Sequence, residues 1–377
     1  MRIGYFTETY YPTPDGVSHY LRDIKKGLES RGHEVFIFSL TGDRNENKVF
    51  IPHSVPLVMY PQYRLPVNFF PFGLFRKIKK LKLDILHIQD SFFMGSIGYR
   101  ASVNFNIPIV ATFHTDFSKM KNTIKFLFSK RAFDLSWRYN LYLYRKCKMV
   151  LCPSNAAYST IREGGIENVR ELPLFVDTER FVHSVGDQNH DNFTIIYIGR
   201  LVEDKGVRTI VEIASNLRDM EGIRFIIAGT GPDERIIGDL VRKKGLEGLV
   251  EMKGYVDENE KIKLLGSSTL FIHPSKSDTF GISVLEALSS GLPALVSSDF
   301  PLNNYCGNEE NGIITTDFSD IPGTCSEIRK LVDDREYFRR LSEAARKFSV
   351  EKFSMQSHID ALIDIYSDLI AKKSQNI

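Results

Sequence analysis

Short apolar runs alternate with stretches of helical spacing along most of the chain. Residues 1–10 read as a strand, with Ile3, Tyr5 and Phe6 available for burial. From Val17 to Arg31 the apolar positions Val17, Tyr20, Leu21, Ile24 and Leu28 fall on one helical face, and Gly32 ends the run. His33 to Phe38 is a second strand. A strand–helix–strand opening predicts a parallel sheet. Further strands are expected at Asp84–Ile88, Ile107–Phe113 and Met149–Ser154, the last followed by a helix to Glu163. A second series runs through Phe193–Ile198, Arg224–Ala228, Ser268–His273 and Ala294–Ser297. Helices fill 324–348 and about 355–373. The polar stretch Val185–Asn192 between the two series reads as an exposed linker.

Composition sharpens this picture in three ways. A length of 377 residues with 42% apolar content suits two ordinary globular domains. No apolar run approaches the length of a membrane span, and the N-terminus starts a strand at once, so neither a span nor a signal peptide is expected. Cys147, Cys152, Cys306 and Cys325 lack metal or redox spacing and read as reduced thiols of a cytoplasmic protein. The net charge of +2 is unevenly spread: residues 1–180 hold 26 Lys and Arg against 16 Asp and Glu, and the rest hold 23 against 31. The first half is thus suited to an anionic partner.

The candidate chemistry gathers at strand ends. After the strand ending at His273 come Pro274, Ser275 and turn-forming residues to Thr279, then Phe280-Gly281. Helical spacing begins at Ser283 (Val284, Leu285, Leu288) and Gly291 and Pro293 stop it. A helix start at the end of a strand is where open α/β sheets bind ligands, and its free N–H groups attract phosphate. Asp278 and Glu286 flank the loop and can hold sugar hydroxyls, which suits a nucleotide-sugar. The spacing alone fits a surface turn with an exposed helical Glu as well. Gly199-Arg200-Leu201-Val202-Glu203-Asp204-Lys205-Gly206 also follows a strand. Arg200 offers a bidentate fork and Lys205 a point charge for phosphate; two solvated cations on a loop would look the same. The loop Tyr11–Gly16 opens the first helix, without a G-x-G-x-x-G fingerprint. His114 ends a strand, where a lone His can be merely satisfied.

Residues 119–148 hold nine Lys/Arg and a single acid, Asp134, interleaved with Ile124, Phe126, Phe128, Trp137, Tyr139, Tyr142 and Tyr144. The stretch fits a membrane-surface element. It also fits a packed helix pair with a solvated basic face. Nucleic acid ranks below both, because no nucleic-acid motif accompanies the charge. Phe69–Phe75 is aromatic, and Arg76–Lys82 adds five basic residues.

Several of these stretches resemble the retaining GT-B glycosyltransferases of family four, group 1. The acid, seven residues and Glu from Asp278 to Glu286 resemble the donor-site signature, with Asp278 in place of the usual Glu. Gly199 to Gly206 resembles the Gly-Arg-Leu…Lys-Gly motif, and Gly229-Thr230-Gly231-Pro232 a Gly-x-Gly-Pro turn. Ala111-Thr112-Phe113-His114-Thr115-Asp116 resembles the strand-end His motif. Gly16 matches the donor-facing glycine loop, with Asp15 in place of its paired glycine. Residues 166–183 resemble the interdomain segment, Glu251–Val256 the strand bordering the base, and Asn311–Ile314 the next strand.

The resemblance implies an α/β protein of two Rossmann-like domains facing across a cleft. Residues 1–180 would bind the acceptor and 181–354 the nucleotide-sugar, with a C-terminal helix, 355–377, crossing back to the first domain. It implies His114, Arg200, Lys205 and Asp278 as catalytic residues. Gly16, Gly199, Tyr255, Val256, Phe280, Gly281, Ile282 and Glu286 would bind the donor. It implies no metal and no cofactor beyond a UDP- or GDP-hexose donor. Residues 1–38 and 84–117 most resemble diacylglycerol glucosyltransferases and phosphatidylinositol mannosyltransferases, which points to a lipid acceptor and a peripheral position on the inner face of the membrane. The alternatives are the same transfer to a soluble sugar or polysaccharide, and a non-catalytic protein that binds nucleotide-sugars.

Overall fold

A computed structural model describes residues 1–13, 16–56, 64–68, 72–89, 91–114, 130–181, 193–275, 278, 280–301 and 309–375. The chain divides into two compact units, Met1–Pro173 with His358–Ile377, and Leu174–Ser357.

In the first unit the strands are β1 (Arg2–Thr7), β2 (Glu34–Ser39), β3 (Val49–Phe50), a small antiparallel hairpin of β4 (Ser54–Pro56) and β5 (Arg64–Pro66), then β6 (Ile85–Ile88), β7 (Ile109–Thr112), β8 (Met149–Cys152) and β9 (Val169–Glu171). Among the described residues, all but the hairpin form one parallel sheet in the order β3-β2-β1-β6-β7-β8-β9. Ile3 of β1 lies opposite Val35 on one side and Ile85 on the other. Covered on both faces, β1, β2 and β6 are almost continuous buried apolar runs. The helix Gly16–Ser30 joins β1 to β2 and buries Tyr20, Leu21, Ile24 and Leu28, the stripe read from the sequence.

The last helix, Met355–Gln375, is anchored in this unit by a polar network inside the core. The Tyr366 hydroxyl lies 2.7 Å from that of Tyr5 and 2.6 Å from His87 Nδ1, and His87 Nε2 lies 2.7 Å from Thr112 Oγ1. His358 donates from Nδ1 to the Pro173 carbonyl at 2.7 Å and accepts from the Tyr20 hydroxyl at 2.8 Å.

The second unit repeats the plan. Its strands are β10 (Phe193–Ile198), β11 (Ile223–Ala228), β12 (Val250–Gly254), β13 (Leu270–His273), β14 (Ala294–Ser297) and β15 (Ile313–Thr316). The order is β12-β11-β10-β13-β14-β15, parallel throughout. In both units the chain lays strands to one side of the first, then returns to the other. The order therefore reverses beside β1 and beside β10.

Several elements were not legible in the spacing. The helices Phe93–Phe105, Glu234–Lys243 and Glu258–Ser267, and the strands β3, β4, β5 and β9, are additions. The strands among them are two or three residues long and are held by distant partners rather than by local pattern. The helical region 324–348 is two helices, Ile321–Asp333 and Arg335–Phe353. Asp334 divides them, and its carboxylate caps the second by accepting from Tyr337 N–H at 2.9 Å. The polar stretch at 185–192, Phe69-Phe70-Pro71, residues 119–129 and Cys306 lie outside the described residues.

Candidate active site

The second unit brings its expected residues to the strand-order reversal. The loops after β10 and β13 leave neighbouring strands there, the position where open parallel sheets take ligands. The first of these loops is held by close backbone packing. A Cβ on Gly229 would lie 1.8 Å from the Gly199 carbonyl oxygen, and one on Gly231 2.2 Å from that of Leu201. Leu201 N–H donates to Thr230 O at 2.9 Å, and Asp233 N–H to Leu201 O at 3.0 Å. The Gly-x-Gly-Pro turn is thus a support for the Gly199–Gly206 loop. From below, the buried Tyr197 hydroxyl donates to Arg200 O at 3.0 Å. The Arg200 side chain itself is exposed.

Lys205 ends a single 3₁₀ turn, Glu203–Lys205, and is 9% exposed. Its ammonium lies 2.7 Å from Asp278 Oδ2. His273, the last residue of β13, places Nε2 2.6 Å from the same oxygen. Ser275 Oγ donates to Asp204 O at 3.3 Å, a second tie between the two loops. Burial alone would raise the Asp278 carboxyl, but the His273 hydrogen bond and the Lys205 charge outweigh it. The group is held well below the usual carboxylate range and is ionised. His273 was not singled out by the sequence reading; its position at the strand end beside Pro274-Ser275 was the available signal.

The helix Ile282–Ser289 starts from Gly281, whose φ is +82° and whose Cβ would meet Phe300 Cζ at 2.4 Å. Only glycine fits this approach without displacing the ring. The Phe280 side chain is core, set edge-on to Phe353 at 6.1 Å, so its offering to a ligand is the backbone N–H. Ile282 is half-buried at the helix start. The Glu286 side chain is nearly buried and accepts a hydrogen bond from Lys261 on the helix Glu258–Ser267. Lys261 Nζ also sits 5.3 Å from the Phe181 ring centroid. Lys261 had no sequence signal, being one of two lysines on a polar helix. Beyond β12, Tyr255 is exposed and Val256 half-buried.

In the first unit His114 follows β7, half-buried, with its ring edge-on to Tyr20 at 5.3 Å. Its Nε2 is hydrogen-bonded to Gln89 Oε1, at the end of β6. Burial, aided by the neighbouring His358, pushes the His114 pKa down to about 3, so the imidazole is neutral at ordinary pH. Gly16 is the exposed first residue of its helix, and a Cβ there would meet nothing within 4 Å. Thr115 and Asp116 of the strand-end motif, and Asp15, lie outside the described residues.

The described part of the basic segment is the helix Lys130–Lys146. Leu141, Leu143 and Tyr144 are buried, while Arg131, Leu135, Arg138, Tyr142 and Arg145 form an exposed stripe at three- and four-residue spacing, flanked by Tyr139 and Lys146. One face packs and the other is basic and aromatic. No helix among the described residues is long and apolar enough to cross a membrane, and no group of three or more His, Cys, Asp or Glu among them could hold a metal ion.

Comparison with known proteins places these features. The pattern of "Glycosyltransferase Family 4" matches residues 14–180 and that of "Glycosyl transferases group 1" residues 179–348. The chain is 27% identical over 403 aligned positions to the alpha-monoglucosyldiacylglycerol synthase of Acholeplasma laidlawii, covering 100% of this chain and 99% of that protein. It is 22% identical to a GDP-mannose-dependent alpha-mannosyltransferase of Corynebacterium glutamicum, covering 98% and 90%. Among solved structures, the Anabaena protein HepE in complex with UDP and glucose superposes with a TM-score of 0.76 at 16% identity, covering 97% of this chain and 99% of that one.

Proposed function

Because the chain belongs to the family 4, group 1 glycosyltransferases, we propose that it moves a hexose from a UDP- or GDP-sugar to a membrane lipid of the diacylglycerol or phospholipid type. The fold is that of the GT-B enzymes and the chemistry a retaining hexosyl transfer. The observation that carries the donor assignment is the convergence of Lys205, Asp278 and the Gly281 helix start at the reversal of strand order. Arg200, Lys205 and the N–H groups near Phe280-Gly281 would bind the donor diphosphate and stabilise it as it leaves. Preorganised charge aimed at developing charge is usually the largest catalytic term. Asp278 would accept from a sugar hydroxyl, and the neutral His114 would do the same work from the first unit. Glu286, held by Lys261, would accept from the ribose, with Tyr255 and Val256 beside the base and Gly16 beside the donor.

The lipid acceptor is supported by the names of the synthases that the chain resembles along its length. It is supported also by the exposed stripe of Arg131, Leu135, Arg138, Tyr142 and Arg145, which suits an anionic interface. The enzyme would then work at the cytoplasmic face of the membrane without spanning it.

The test is incubation of purified protein with UDP-glucose or GDP-mannose and vesicles containing diacylglycerol and an anionic lipid, with lipid products separated by chromatography. A glycolipid formed from one donor is expected. Transfer only to soluble sugars would replace the acceptor, and tight donor binding without transfer or hydrolysis would replace the enzyme by a binding protein.

A further inference from the structure

We propose that His273 is a positioning residue for the transfer, one that fixes the Asp278 carboxylate so that its second oxygen faces the donor sugar. The inference rests on the donor assignment made above. Asp278 is one methylene shorter than the Glu that the donor-site signature usually carries, so its carboxylate starts further from any ligand. A short side chain on a loop needs an external hold to keep one orientation. His273 supplies it from a rigid element. The ring is 2% exposed at the end of a central strand, stacked on Tyr197 and Phe271 at 6.2 Å each and edge-on to Phe300 at 5.6 Å. It cannot swing away without displacing those rings.

The hydrogen-bond pattern sets the direction. Nε2 donates to Asp278 Oδ2 at 2.6 Å, and Lys205 reaches the same oxygen at 2.7 Å. Among the described residues, both of these holds on the carboxylate fall on Oδ2, which leaves Oδ1 to accept from a hydroxyl. The other ring nitrogen, Nδ1, is buried without a hydrogen-bond partner among the described residues. An orphaned buried nitrogen costs on the order of 1–3 kcal/mol. A purely structural strand-end residue would more simply be apolar, like Ile272 before it. What the imidazole offers here is its hydrogen bond to Asp278. The same bond lets Asp278 hold Lys205, so that His273 acts on the cation that meets the diphosphate through one intervening carboxylate.

The test compares His273→Gln, which can present an N–H near the position of Nε2, with His273→Leu, which fills similar space without a donor. The Leu variant should lose kcat on the order of tenfold to a hundredfold, the range for a misplaced catalytic group. The acid limb of its pH–rate profile should shift upward, since one of the groups holding the Asp278 carboxyl low is gone. The Gln variant should recover most of the loss and return the limb toward its wild-type position. In parallel, the Asp278 carboxyl carbon is titrated by NMR in wild type and both variants, which needs no turnover. An upward shift confined to the Leu variant supports the proposal; identical titrations and identical kcat in all three overturn it. Wild-type protein without any transfer would defeat the functional reading alone, because the titration still decides whether His273 governs Asp278.

Discussion

Lys205 is almost buried and charged, a state that survives only beside a compensating anion. Asp278 provides that anion within the folded chain, and an incoming diphosphate would compete for the same ammonium. Lys205→Ala should therefore lower kcat by about 10²–10³-fold; steady-state rates within a few-fold of wild type would remove Lys205 from the chemistry. His87, His114 and His358 of the first unit carry a different consequence. Burial is the main force depressing all three: His87 lies well below its ordinary value, His114 at about 3 and His358 at about 4. An unfolded histidine titrates near 6.5. Between that value and about 4 the unfolded chain takes up protons that the folded unit refuses, so stability falls as pH falls through this window. Above it these groups contribute no pH dependence. Asp278 adds its own loss only below about 4, where unfolded carboxyls protonate. Chemical denaturation followed at a series of pH values should show the first decline, and replacing His358 by Gln should flatten it by up to about 1.4 kcal/mol per pH unit.

At the scale of elements, the strand-end loops of the second unit are shaped by glycines that differ sharply in what surrounds them. Gly229 has φ +138° and no room for a methyl group against Gly199; Gly281 has φ +82° and Phe300 in the way. Gly229→Ala and Gly281→Ala should each displace a site loop, with weaker nucleotide binding and a loss of stability of roughly 1–3 kcal/mol. Gly16→Ala meets open space and a helical start, so the fold should tolerate it. If Gly16→Ala melts like wild type yet loses donor affinity, the methyl group has met the ligand; unchanged affinity would take Gly16 out of the site. The helix Ile282–Ser289 is secured at its far end as well, where the Arg346 guanidinium donates to the carbonyls of Ser289, Phe181 and Thr178. Glu286 thus rides on a helix fixed at both ends.

For the whole molecule, charge is the dominant asymmetry. The excess of cations in residues 1–180 includes the stripe on the helix Lys130–Lys146 and the helix Phe72–Leu81, which exposes Phe72 and carries Arg76, Lys77, Lys79 and Lys80. Each basic residue near an anionic leaflet is worth about 1 kcal/mol. Flotation with anionic vesicles should carry the protein upward at low salt and progressively less as ionic strength shortens the Debye length. Changing Arg131, Arg138 and Arg145 together to Glu should abolish flotation while leaving hydrolysis of a soluble donor intact. Flotation that persists in that variant would move the membrane contact elsewhere.

The sequence by itself determined the two series of parallel strands, because fully buried strands must be nearly continuous apolar runs, and the β1-helix-β2 opening forces a crossover. It also set out the glycines, cations and helix start on which the proposed donor site rests, since those spacings are local. Tertiary structure alone decided the rest. Val49–Phe50 and Val169–Glu171 are strands only because a sheet edge accepts them. Lys205, Asp278 and His273 meet because β10 and β13 are neighbours, pairing Ile195 with Leu270 although these lie 75 residues apart along the chain. Lys261 reaches Glu286, Tyr366 returns to β1 and β6, and His358 to Tyr20 of the first helix, by the same means. Local spacing records which groups a segment offers; which of them share a proton or a charge is fixed only when distant strand ends are brought side by side.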